Sequence, residues 1–217
     1  MPIRRVYFYF GLIVLVIAVG LGYKTYLDRQ QSARNSVKTP VAIISVKPSK
    51  VDPNSTPAIG GPFSLINQNG EPVNDTDFKG RHMLIFFGYT YCPDVCPMTM
   101  TNISGAMDLL GEDAKLVQPL FITIDPLRDT PDQIKAYLEH FHKSFIGLTG
   151  TRKQVESAKK AFKIFAQKAN QDPNDAEDYL MDHSSITYLM GPDGKLEAFF
   201  SRNAESGAIV QKILEFL

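Results

Sequence analysis

The sequence predicts an α/β domain carried behind a single N-terminal transmembrane helix. Three observations point there. Residues 6–23 contain no charged side chain. The apolar runs Met83–Phe87 and Val117–Ile124 read as buried strands, each followed by a segment with helical spacing. Finally, the only two cysteines, Cys92 and Cys96, stand where the first of those strands hands over to a helix.

Arg4 and Arg5 precede the uncharged run and Lys24 ends it. About 18 residues at ~1.5 Å rise approach the ~30 Å bilayer core. Tyr7, Tyr9, Tyr23 and Tyr26 at its margins favour an uncleaved anchor; the competing reading is a signal peptide cut near Ala18-Val19-Gly20. The paired arginines place residues 1–5 in the cytoplasm, 6–23 in the membrane and the remainder outside. No Arg/Ser-rich amphipathic presequence precedes the span, which favours a bacterial inner membrane with a periplasmic C-terminal domain over the mitochondrial inner membrane. Residues 24–58 are polar and proline-dotted and read as a flexible tether, with at most one short strand at Val41–Val46.

The globular domain then occupies 59–217. Phe63–Ile66 alternates and ends in the turn signal Asn69-Gly70. Cys92 and Pro93 suit a helix start, Met98–Leu110 its body and Gly111 its end. After the strand Val117–Ile124, which tolerates Pro119 at the loss of one ladder bond, Asp129-Thr130-Pro131 opens a second helix with Ile134, Tyr137, Leu138 and Phe141 on one side. Ile146–Leu148 is a short strand. Thr151 caps a helix carrying Val155, Ala158, Phe162 and Phe165. Ile186–Met190, the turn Gly191–Gly194 and Leu196–Phe200 form a hairpin, and Ser206–Leu217 a closing helix. Strand, helix, strand, helix, hairpin and helix in this order describe a thioredoxin-like α/β sandwich.

The 23 basic and 23 acidic side chains cancel, which argues against nucleic acid as a partner. Chemistry therefore centres on Cys92 and Cys96. Their disulfide would close too short a loop to restrict the unfolded chain much. A helix N-terminus favours thiolate, and thiolates bind soft ions such as Cu(I) or attack disulfides. Three residues separate the cysteines, where thiol–disulfide exchange alone usually has two. Thr90 stands two positions before Cys92, where a peroxide-reducing site would want three. Two thiolates are too few for structural zinc. Metal binding, a redox pair and, in an exported protein, a structural disulfide all stay open.

A third ligand would come from histidine or methionine. His82 lies at the wrong end of its strand, and His140 and His142 suit solvated positions at a helix C-terminus. His183, in the loop Asp178–Ser184 before an apolar strand, is either a ligand or a solvated histidine. Met98 and Met100 suit a buried helix face.

Gly88-Tyr-Thr-Tyr-Cys92-Pro-Asp-Val-Cys96-Pro, Asp125-Pro-Leu-Arg-Asp-Thr-Pro131, Phe145-Ile-Gly-Leu-Thr-Gly150 and Asp182-His183-Ser-Ser-Ile-Thr-Tyr-Leu-Met resemble the SCO1/SenC family, in order, over about 59–217. The resemblance implies a copper chaperone rather than an enzyme. It implies that Cys92, Cys96 and His183 hold one copper ion, Cu(I) or Cu(II), for the dinuclear centre of cytochrome c oxidase subunit II. An exported thiol reductant and a copper donor would be further partners. The alternative is a thiol–disulfide reductase acting on the oxidase subunit's cysteines, or a copper or redox sensor. Tyr91 and Leu127 depart from the family pattern without touching a presumed ligand, so they bear on the partner surface rather than on metal binding. Asp125, Arg128 and Asp129 form a charged cluster read either as partner docking or as a local cap, with Asp129 capping and Arg128 its ion-pair partner. Asp182 is expected to orient His183 or to serve a turn, and Tyr179 to line the site.

Overall fold

The strand expected at Met83–Phe87 is the centre of the molecule. In the computed structural model, which describes residues 59–169 and 179–217 together with Lys24, β3 (His82–Gly88) is buried at all seven positions. Successive side chains point to opposite faces, so both faces of this strand are covered. The expected span at 6–23, the tether at 24–58 (Lys24 apart) and the short strand at Val41–Val46 lie outside the described residues. Among the described residues, no helix is long and apolar enough to cross a membrane.

With β1 (Ser64–Asn67), β2 (Pro72–Asn74), β4 (Val117–Thr123), β5 (Ile146–Thr149), β8 (Ile186–Met190) and β9 (Leu196–Ser201), β3 builds a seven-stranded sheet ordered β2-β1-β5-β4-β3-β8-β9. β4 runs parallel to β3 and β5, while the flanking pairs are antiparallel. Pro119 stands one residue before β4 begins to pair with β5 at Leu120. A second, two-stranded sheet joins β6 (Ala166–Lys168) to β7 (Met181–His183), with Ala166 opposite His183.

Four helices among the described residues cover the sheet: α1 (Val95–Leu110), α2 (Pro131–Leu138), α3 (Arg152–Ala161) and α4 (Ser206–Leu214). α1 buries Cys96, Met100, Ile103 and Met107, a stripe at helical spacing. The Ser206 hydroxyl ties α4 to α1 by donating to the Asn102 carbonyl at 2.8 Å. Thr151 and Gln154 form the capping box that starts α3.

Several boundaries differ from the sequence reading; the second helix stops at Leu138, short of Phe141, and the bounds of β1, β3, β5 and β9 move by one residue. The first helix begins at Val95, not at Cys92, because the Cys92 amide donates back to the Tyr89 carbonyl and turns the chain first. Pro97, rather than Pro93, then lies in the first turn. α3 stops at Ala161, Lys163 takes a left-handed φ of 56°, and Phe165 is exposed while Phe162 is buried. The closing helix ends at Leu214, not Leu217, and β4 ends at Thr123, one residue before Ile124.

Candidate metal centre

The C-terminal end of β3 opens directly into the cysteine segment. Gly88 ends the strand, and a Cβ there would meet Cys96 Sγ at 3.0 Å and the Phe86 ring at 2.8 Å. The missing side chain is therefore what lets the Cys96 sulfur lie against the sheet. Cys96 is fully buried in the first turn of α1, whereas Cys92 is partly exposed in the turn before it. The Cys96 amide, one of the donors a helix start leaves free, points at Cys92 Sγ at 3.4 Å.

Burial and this hydrogen bonding split the two thiols. Cys92 falls well below the ordinary thiol range, first because Cys96 hydrogen-bonds to it, with His183 and the Asp94 and Cys96 amides adding to the effect against its burial. Cys96 is pushed up, first by the same bond to Cys92 and then by burial. The pair thus presents an accessible thiolate in front of a buried thiol.

His183 closes the group. Its Nε2 lies 3.6 Å from Cys96 Sγ across 87 positions of sequence. Its Nδ1 lies 3.1 Å from the Ser184 carbonyl, which only accepts, so Nδ1 carries a proton and Nε2 is the nitrogen turned toward the Cys96 sulfur. Tyr89 packs edge-on against the imidazole at 5.9 Å, and Phe86 at 6.4 Å. Among the described residues, no three His, Cys, Asp or Glu side chains form a ready metal cage; Cys92, Cys96 and His183 are neighbours rather than a closed coordination shell.

The other residues singled out in the sequence are placed as follows. His183 ends strand β7, not a loop. Asp182 is exposed, and the ring is oriented by the Ser184 carbonyl instead. Met100 is buried as expected, but Met98 is exposed. His82 is buried beside Glu197 Oε2, 3.1 Å away. Thr130, not Asp129, caps α2, accepting from the Gln133 amide. Asp129 is buried and accepts from the Thr90 amide, the Thr90 hydroxyl at 2.6 Å and the Thr123 hydroxyl at 2.6 Å. Its carboxyl is pushed up to about 6 by burial, which outweighs those bonds.

Arg128 pairs with Asp125, not Asp129, through Nε to Oδ2 at 2.6 Å. Tyr179 joins that pair: its hydroxyl donates to Asp125 Oδ1 at 2.8 Å, and the Arg128 guanidinium lies 3.6 Å from its ring centre. Sequence reasoning missed Tyr89, whose oxygen accepts from the Met181 amide at 3.2 Å. It also missed Gly88, whose lack of a side chain admits the Cys96 sulfur. A glycine directly after a buried strand was the available signal.

Strand-to-helix cysteines, a parallel β3–β4 core and an imidazole delivered from the far side define a thioredoxin-like dithiol domain. The SCO1/SenC family model matches residues 51–217, and the chain belongs to that family. It is 43% identical over 159 residues to the SCO2-like protein of Rickettsia felis, covering 73% of this chain and 75% of that one. The structure of Bradyrhizobium japonicum ScoI with copper bound superposes with a TM-score of 0.68 at 39% identity, over 74% of this chain and all of that one. BsSco, described as having a disulfide switch and as a member of the Sco family of cytochrome c oxidase assembly proteins, matches at 26% identity and a TM-score of 0.56. That match covers 73% of this chain and 92% of BsSco.

Proposed function

We propose that this chain is a membrane-anchored copper chaperone that carries one copper ion on Cys92, Cys96 and His183 and supplies the dinuclear centre of cytochrome c oxidase subunit II. The observation that carries the reading is His183 Nε2 facing the Cys96 sulfur at 3.6 Å, with Nδ1 held by the Ser184 carbonyl. Two sulfurs and a neutral imidazole suit copper in either oxidation state. The copper-bound relative and the oxidase-assembly relative support the cargo and its destination. Cys96 supplies a buried, water-shielded donor; Cys92, at the surface, is the donor an incoming partner ligand reaches first.

The uncharged run at 6–23 serves as the anchor, with the domain in the periplasm of a bacterial inner membrane. A copper donor loads the site, and an exported thiol reductant keeps the pair reduced, because an oxidised pair donates no thiolate. The full chain is expected to bind one copper, and His183→Ala to weaken it sharply; unchanged stoichiometry and affinity in that variant defeat the reading.

The low-lying Cys92 thiolate in front of the Cys96 thiol favours a second reading, reduction of the oxidase subunit's disulfide. Cys92 would attack the partner disulfide and release one partner thiol. Cys96 would then attack the mixed disulfide, leaving the partner with two thiols and this chain with one Cys92–Cys96 bond. An external thiol reductant would return the two electrons and two protons. Disulfide reduction fully retained in His183→Ala, with copper binding lost, separates this role from chaperoning.

A further inference from the structure

His183 depends on a small structure for its position. β6 and β7 are three residues each and pair only with one another, and a two-stranded ribbon of that size is not stable alone. Its place must come from the body of the domain. Among the described residues, Ala166 and Met181 pack against the core, and two hydrogen bonds besides the His183–Cys96 contact reach across: the Met181 amide to the Tyr89 hydroxyl, and the Tyr179 hydroxyl to Asp125.

The second is the more elaborate. Tyr179 is only 6% exposed and enters a socket built by the turn that follows β4. In that turn the Arg128 and Asp129 amides donate to the Asp125 carbonyl, and the Asp125 amide donates to the Thr123 hydroxyl. One Asp125 oxygen holds Arg128 and the other receives the phenol. The guanidinium then covers the Tyr179 ring at 3.6 Å, with Lys168 Nζ also 3.6 Å from the ring centre. The Asp125–Arg128 pair, 4% and 14% exposed at the side chain, thereby grips the tyrosine four residues ahead of His183, and the same guanidinium lies 4.7 Å from the Tyr91 ring centre.

We propose that Tyr179 is a positioning residue: seated in the Asp125–Arg128 socket, it holds the β6–β7 ribbon so that His183 stays within reach of the cysteines and sets how long the third ligand remains engaged. The inference rests on the copper-chaperone reading for its consequence, not for its geometry. A charged pair within hydrogen-bond reach of a buried phenol resists the ribbon's displacement through both the hydroxyl bond and the covered ring.

The test uses the full chain with Tyr179→Phe, which keeps the ring and removes the hydroxyl, and with Asp125→Asn. In the copper-free protein, amide exchange at Met181–His183 is expected to rise about tenfold while Met100 and Ile103 in α1 stay unchanged. In the Cu(I)-loaded protein, loss of copper to a chelator is expected to quicken about tenfold, the size typical of disturbing a ligand's support. Adding Tyr179→Phe to His183→Ala should produce no further quickening, since both act through one ligand. Unchanged exchange at Met181–His183 in both variants overturns the proposal whatever copper does. Unchanged copper loss in His183→Ala would instead defeat the chaperone reading and leave exchange to judge the socket.

Discussion

Cys96 lies in the first turn of a sixteen-residue helix, against the end of a seven-residue buried strand, whereas His183 ends a three-residue strand paired only with another of the same length. The sulfur lies against Gly88, at a point on the sheet where the fully buried Phe86 and Phe121 rings also leave no space for an added Cβ. The imidazole's surroundings are one carbonyl, two ring edges and the tyrosine bonds that hold its ribbon. A domain that must hold a soft ion and then surrender it is served by that asymmetry. The rigid half keeps a dithiol preorganised, and the half with fewer contacts is expected to open at lower cost than the core.

The strongest way to break the comparison is to damage the rigid half. Phe86 is fully buried and its ring lies tilted against Phe121, with centres 6.4 Å apart. Phe86→Ala is expected to cost about 3–5 kcal/mol in urea unfolding, the size of a large core truncation. A loss under 1 kcal/mol would mean the sheet beneath the cysteines is as adjustable as the ribbon.

Asp129 gives the next effect, and it is set by pH. Burial raises its carboxyl from the usual 3.8 to about 6. A group raised in the folded state contributes stability that is fully present below the unfolded value and is lost as pH rises through the folded one. Stability should therefore fall between about pH 4 and 6.5, by up to ~3 kcal/mol for this group. Asp129→Asn should flatten that slope. An equal slope in the variant assigns it elsewhere.

Gly88→Ala probes the same wall more gently. The added methyl would press on Cys96 Sγ and two aromatic rings at 2.8–3.0 Å, and overpacking of this kind costs about 1–3 kcal/mol. The reaction of Cys92 with a thiol reagent should change alongside, because Cys96 must shift to admit the methyl. Stability and thiol reactivity both equal to the parent protein would show that the rings yield freely.

The rigid half was largely legible in the sequence. Continuous apolar runs identified β3 and β4, and the cysteines at the strand end fixed where chemistry would lie. The helix start was misplaced because Cys92-Pro93 and Asp94 both suit a first turn, and only the Tyr89–Cys92 turn decides between them. Asp129 and Thr130 likewise both suit a cap; the Thr90 and Thr123 hydroxyls claim the carboxylate and leave the cap to Thr130. The ribbon was nearly invisible. Three-residue strands carry no readable alternation, and the Tyr179–Asp125 bond spans 54 positions with no local signature. His183 was set apart from the other histidines by its place before an apolar strand, but only the family likeness implied that it is a ligand.

The smallest effect sharpens the comparison most. Tyr89 belongs to the rigid half, being 2% exposed at the end of β3, yet its hydroxyl serves the ribbon by accepting the Met181 amide. Tyr89→Phe leaves the ring beside His183 and strips that one bond. The Met181 amide is only partly buried and can turn to water, so a loss of about 0.5–1.5 kcal/mol is expected in unfolding. Exchange should quicken at Met181 and leave the amides of Met100 and Ile103 in α1 untouched. If those helix amides quicken in step, the two halves open together, and the imidazole is no more lightly held than the sulfurs it faces.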